Sequence, residues 1–450
     1  MTSNTAISDD LRAAFAAALS EMYRKEVPQY GTLLELVSNI NQGVINGGEQ
    51  CHDSRNRIDV ERHGAIRLGS ASELATIRRL FAIMGMEPVG YYDLSIAGLP
   101  VHATGFRPTS PESLQRNPFR VFTSLLRLDL IADTKLREQA RDILAKRRIF
   151  SPRCLELIRQ FEAQGTFSRE TAQEFMNESL EIFRWHKVST VDIATYKALE
   201  STHPLIADIT CFKGPHINHL TPRVLDIDAA QSAMTSHGLQ AKAVIEGPPP
   251  RKHLVLLRQT SFLALEEEIA FSNGVEKGGK HRARFGEIEQ RGMALTRKGR
   301  LLYDEIFASF LSKQAAPGTS QVSPEDVLAE SFAAFPDDLD TLRREQLAYF
   351  RYIIRKPGQV KSELTNFEEL VSSGIVSFEP ITYEDFLPAS AAGIFHSNLN
   401  GGSCLANDVL SDQSSFEEAL GCQVHDAFEL YDGLEKASIQ QCLEILGKTQ

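Results

Sequence analysis

A unit of one strand, one amphipathic helix and three strands occurs twice in this chain, and the doubling restricts the folds open to it. The first copy begins at His63 to Leu68, a short extended run closed by Gly69-Ser70. Ser72 to Met84 follows as a helix, because Leu74, Ile77, Leu80, Phe81 and Met84 recur on one face, with Ser70 and Ser72 as N-cap candidates. Three strand-like runs complete it, Pro88 to Leu94, Leu99 to Arg107 and Phe119 to Ile131, with turn signals at Ala97-Gly98 and Pro108 to Pro111. The second copy runs from a strand at His216 to Leu220 through a helix at Asp226 to His237. Its three strands are Ala241 to Glu246, His253 to Leu263 and Ala283 to Ala294. The copies share a pattern and no strong identity of letters.

The other segments read mostly as helix. Residues 1–60 form an N-terminal helical region, and 61–132 hold the first βαβββ module. Residues 133–210 form a helical insertion expected to pack on one side, 211–297 hold the second module, and 298–450 are helical and mixed. The whole is expected to be an α+β fold and a single catalytic unit, with the two modules pairing in one curved sheet. The Gly- and Lys-containing stretch Asn273 to Lys280 is expected to be a mobile hairpin between strands.

A formal net charge of -11 argues against nucleic acid as a partner, since phosphate binding needs a basic face. It does not exclude a small anion, because a few buried arginines set the local field. No apolar run is long enough to span a bilayer, and the N-terminus lacks an apolar targeting core. The six cysteines show no CxxC pair, which suits free thiols in a reducing cytoplasm. GxGxxG, Walker A, GxSxG and HExxH patterns are absent.

Chemistry concentrates where the repeat places it. His63 lies on the first strand of module one, His219 on the first strand of module two, and Glu287 on the last strand of module two. Paired modules bring their first strands together. Two imidazoles and a carboxylate converging there leave three adjacent positions of an octahedral ion open, as in non-haem Fe(II) oxygenases. His216 competes with His219; three residues apart on a strand, they point to opposite faces, and Gly214-Pro215 places His216 at the strand entrance. Glu289 competes with Glu287 on the same face, and periodicity does not choose between them. Arg67 shares the His63 face, roughly 13 Å along the strand at about 3.3 Å per residue. A small diacid held by a metal beside His63 is long enough to reach that guanidinium, whose planar fork suits a carboxylate. Arg258 and Gln259 lie on opposite faces of one strand, so one of the two lines the cleft.

Four long stretches carry a resemblance. They are RHGAIRLGSASELATIRRLFAIMGMEPVGYYDLSIAGLPVHATGFRP from Arg62, GPHINHLTPRVLDID from Gly214, RFGEIEQRGMALT from Arg284 and ITYEDFLPASAAGIFHSNL from Ile381. In this order they resemble the 2-oxoadipate dioxygenase/decarboxylase family, also called 2-hydroxyglutarate synthases. The resemblance implies a sheet like that of the vicinal oxygen chelate superfamily around an Fe(II) site held by His63, His219 and Glu287. It implies Arg67 as the substrate-binding arginine, and Phe395 and Ser397 on a segment that closes over the pocket; Gln259 and Arg258 are candidates to bind substrate from strand alternation alone. The implied reaction takes 2-oxoadipate and O2 to D-2-hydroxyglutarate and CO2 in lysine breakdown. Two other readings suit the same residues: a redox-silent zinc-dependent isomerase or hydrolase, and a metal- or ligand-binding module without catalysis.

Overall fold

In the computed structural model, residues 2–48, 53–271, 277–282, 284–315, 323–355, 366–387 and 412–447 are described. The strands are β1 (Arg62–Leu68), β2 (Glu87–Asp93), β3 (Val101–Arg107), β4 (Arg120–Leu126), β5 (His219–Pro222), β6 (Leu257–Ser261), β7 (Glu267–Ala270), β8 (Lys277–His281), β9 (Phe285–Arg291), β10 (Phe350–Ile354) and β11 (Val376–Pro380). Seven of them form a curled half-barrel sheet in the order β2-β3-β4-β1-β5-β9-β6. β7–β8 and β10–β11 are separate hairpin pairs.

The doubled pattern is visible in that order. In the first module β1 runs parallel to β4, with β3 and β2 antiparallel beyond it. In the second, β5 runs parallel to β9, with β6 antiparallel beyond it. β1 and β5 join the halves as an antiparallel pair in which His63 faces Thr221 and Gly64 faces Leu220. The helix of each module, Ala71–Ile83 and Ile227–Ser236, has the N-cap its sequence offers. Ser70 accepts from the Glu73 amide and Asp226 from the Ala229 amide.

One strand expected from the sequence is much reduced. Ala241 to Glu246 pairs with the sheet only at Ala241–Phe262 and Glu246–Gln259. Gly247 at φ 111° turns the chain away, and the three prolines after it offer no amide for a ladder. In the C-terminal region, expected to be helical and mixed, the helix Phe367–Ser372 leads into β11.

The sheet separates two cores. Ile66, Leu68, Val121, Leu220 and Ile288 face one side, packed against the helices Thr2–Glu26, Pro28–Asn46, Ala71–Ile83 and Arg169–Phe183. Ala65, Ala103 and Phe122 face the other, with Leu144, Trp185, Leu199, Ile209 and Phe386. The helical insertion therefore packs on both sides of the sheet and not on one. Leu157 and Phe175 join the first core, Ala140 and Ile206 the second. A third core gathers Leu295, Tyr303, Phe332, Leu347, Phe350, Val376 and Tyr431 around β10–β11. Cys154, Cys211, Cys422 and Cys442 are free thiols, and among the described residues no helix is long and apolar enough to cross a membrane.

Candidate metal centre

The register of the sheet brings His63, His219 and Glu287 together. Strand alternation puts His63, Ala65 and Arg67 on one face of β1, His219 and Thr221 on the same face of β5, and Glu287 and Glu289 on that of β9. One ligand atom from each of His63, His219 and Glu287 lies within 4.8 Å of the others, and all three residues are fully buried. His63 Nε2 is 3.1 Å from Glu287 Oε1, and His219 Nε2 is 3.9 Å from it. The imidazole centroids are 5.4 Å apart with planes at 86°.

The donor set fits a divalent ion. Among the described residues, both ring nitrogens of His63, both of His219 and Glu287 Oε2 have no hydrogen-bond partner although water does not reach them. Buried polar atoms without partners cost about 1–3 kcal/mol each, and one ligand atom from each of these three residues lies close enough to the others to share an ion. Two nitrogens and one carboxylate oxygen suit iron or zinc. The other carboxylate oxygen is held: Gln259 Nε2 donates to Glu287 Oε1 at 2.8 Å, and Thr221 Oγ1 donates to it at 3.1 Å. Burial pushes the His219 pKa down to about 4; Glu287 opposes this, and His63 and Arg67 add to it. That imidazole is neutral, the form that binds metals.

Glu289 takes the other side of His63. Its Oε2 lies 3.0 Å from His63 Nδ1, and Arg291 grips its carboxylate with two bonds of 2.9 and 2.8 Å. Burial disfavours a charged His63, but Glu289 and Glu287 outweigh it and raise its pKa. Beneath them, Glu61 pairs with Arg120 at 2.9 Å and Arg223 at 2.9 Å, and Glu384 pairs with Arg57 at 2.5 Å and with Arg120. Arg107 holds Asp385. The segment Glu384–Phe386 is so fixed across the open face of the sheet, where Phe386 packs edge-on to His63 at 5.2 Å.

The other expected site residues divide. Arg67 is buried on the centre's side of β1, and its Nη1 donates to Asp208 Oδ2 at 2.7 Å. Gln259 is at the centre, as just described. Arg258 is not: it pairs with Gln290 across β6–β9, on the helix side, and its guanidinium binds Asp228 at 2.5 and 3.0 Å. Its alternation against Gln259 sends it there, which corrects its expected place in the pocket. His216 also stays outside, with Nε2 3.2 Å from Asn218 Nδ2. Phe395 and Ser397 lie outside the described residues. Sequence reasoning missed Thr221, Asp208 and Phe386. Asp208 had a signal, a lone carboxylate in the mostly apolar helix Pro204–Thr210.

Comparison with known proteins points the same way. The family model described as 2-oxoadipate dioxygenase/decarboxylase matches residues 15–398. A 2-oxoadipate dioxygenase/decarboxylase of Escherichia coli is 51% identical over 449 residues, 98% of this chain and 99% of its own. One from Pseudomonas putida is 51% identical over 459 residues, 99% of each chain. The crystal structure of a hydroxyglutarate synthase from Pseudomonas putida in complex with 2-oxoadipate superposes with a TM-score of 0.89 at 50% identity, covering 98% of both chains.

Proposed function

The chain belongs to the 2-oxoadipate dioxygenase/decarboxylase family, and from that premise we propose that it is an Fe(II) enzyme converting 2-oxoadipate and O2 to D-2-hydroxyglutarate and CO2. We place it in the cytoplasm, in lysine breakdown, acting as a single catalytic unit. The atoms balance: one oxygen of O2 enters the new carboxylate, the other the new hydroxyl, and the substrate supplies all the electrons. The observation that carries the reading is the buried set of unpartnered ligand atoms on His63, His219 and Glu287.

His63, His219 and Glu287 would hold the iron, which would supply the redox chemistry for the reaction of the 2-oxo acid with O2. The chain supplies position and electrostatics. Gln259 and Thr221 both donate to Glu287 Oε1 and so fix this carboxylate beside His63 and His219. Glu289 holds His63 by its far nitrogen. Arg67, on the same face as His63, takes the distal carboxylate. Phe386 lies against His63 and keeps water from that side.

The test is O2 uptake by the Fe(II)-loaded protein with 2-oxoadipate, with the products analysed. Uptake matched by CO2 and 2-hydroxyglutarate, and lost in His63→Ala, is the expected result. No uptake by protein with a filled iron site overturns the reading, and turnover that needs zinc but no O2 replaces it with the redox-silent one.

A further inference from the structure

Arg67 belongs to a buried string of polar side chains contributed by five stretches of the chain. Asp208, on the helix Pro204–Thr210, accepts from Arg67 through Oδ2 at 2.7 Å. Its Oδ1 lies 2.8 Å from His281 Nε2 and 3.5 Å from His216 Nε2. The other ring nitrogen of His281, Nδ1, is 2.9 Å from the Tyr196 hydroxyl. Trp185 stacks on His281 with planes 8° apart and meets His216 edge-on at 4.6 Å. Burial alone raises the Asp208 carboxyl, but His216, Arg67 and His281 around it hold it well below the usual carboxylate range. It is an anion with both oxygens engaged.

A guanidinium is a planar fork on a long, flexible stem. A charged acceptor that anchors one Nη of the fork restricts the directions in which the remaining N–H groups point. Asp208 is itself immobilised by His281, and His281 by Tyr196 and the Trp185 ring. His281 ends β8, so the β7–β8 hairpin is tied to Arg67 through this one carboxylate. We propose that Asp208, braced by His281, is the positioning residue that orients Arg67, and that this pair makes the site distinguish a 2-oxo diacid from the 2-oxo monoacid of equal length. The proposal rests on the reading of Arg67 as partner of the distal carboxylate.

The experiment compares Asp208→Asn and His281→Gln with wild type by O2 uptake on 2-oxoadipate and on 2-oxohexanoate. In Asp208→Asn, KM for the diacid rises about ten-fold or more, kcat changes by less than about three-fold, and KM for the monoacid stays unchanged. His281→Gln moves the same ratio in the same direction by less. A second readout needs no metal. Trp185 is the chain's single tryptophan and touches both His281 and His216, so its emission reports on the cluster. Emission of the metal-free wild type changes on titration with 2-oxoadipate, and the midpoint shifts to higher concentration in Asp208→Asn. An unchanged diacid KM in Asp208→Asn, or an equal rise for both acids, overturns the proposal. If Asp208→Asn does not fold, an unchanged ratio in His281→Gln overturns it instead. Wild type that takes up no O2 with 2-oxoadipate removes the functional reading and this inference together, whereas normal wild-type uptake with unaltered variants removes the inference alone.

Discussion

His63 sits between two carboxylates: Nε2 is 3.1 Å from Glu287 Oε1, and Nδ1 is 3.0 Å from Glu289 Oε2. The second contact decides which way the ring faces. Glu289 is an anion, because although burial raises its carboxyl, Arg291 and His63 together hold it down to about 2. A charged acceptor on the far nitrogen fixes the imidazole orientation and makes the near nitrogen a better donor to a metal.

Glu289→Gln keeps the shape and removes the charge. We expect the affinity for Fe(II), or for Zn²⁺ as a redox-inert substitute, to fall about 10- to 100-fold. Stability should also fall, since Arg291 loses its bidentate partner. Metal titration against a competing chelator measures the first effect and denaturant unfolding the second. Lost stability with intact affinity would leave Glu289 as a counter-ion for Arg291 only.

That His63, His219 and a carboxylate of β9 meet was legible from the doubled module and the alternation of a strand, but Glu287 and Glu289 share a face, and only the family resemblance chose Glu287. The choice between Arg258 and Gln259 was not legible, because it depends on the β6–β9 register, in which Gln259 faces Glu289 and Arg258 faces Gln290. Asp208 was missed for another reason. It meets Arg67 at a sequence separation of 141, and no local period links the two. The web of Glu61, Arg120, Arg223 and Glu384 is equally non-local. Each of these residues reads as an ordinary surface charge until the fold buries it.

Arg67 carries a prediction of its own. Arg67→Ala should lower kcat/KM on 2-oxoadipate by an amount equivalent to about 2–5 kcal/mol, because the substrate's distal charge is left without its partner. The loss on 2-oxohexanoate, which has no distal charge, should be much smaller. Asp208 also loses a buried partner, so unfolding measured alongside should show the variant less stable. An unchanged kcat/KM on 2-oxoadipate would take Arg67 out of the substrate site.

His102 makes the fold sensitive to acid away from the metal centre. Burial, with Arg127 adding to it, pushes its pKa from 6.5 down to about 4. Between those values the unfolded chain binds a proton at this position that the folded chain does not. Stability from this residue is therefore whole above pH 6.5 and lost as the pH falls toward 4. The loss amounts to roughly 3 kcal/mol at most. Thermal unfolding from pH 7 down to about 4.5 should show a smaller decline in His102→Gln than in wild type. Parallel declines would mean that His102 takes up its proton in the folded state as readily as in the unfolded one.

Gly64 sets how closely β1 and β5 approach, and so how far apart the two imidazoles stand. A Cβ there would meet Ile217 Cδ1 at 2.5 Å and the His219 carbonyl oxygen at 3.0 Å. The isoleucine methyl can swing aside, but the carbonyl belongs to the backbone of the very residue that presents the second imidazole. Gly64→Ala should therefore push β5 from β1 at the His63–Thr221 and Gly64–Leu220 pairs, costing about 1–3 kcal/mol as overpacking. It should also weaken metal binding by moving His219 relative to His63. Gly43→Ala is the control: it lies in the helix Pro28–Asn46 with nothing within 4 Å of the added carbon, and should stabilise by about 0.5–1 kcal/mol. Unfolding midpoints and metal affinities of both variants separate the possibilities. Lower stability with unaltered affinity in Gly64→Ala would mean that the donors re-form their geometry after the strands shift, and that strand spacing alone does not hold the centre together.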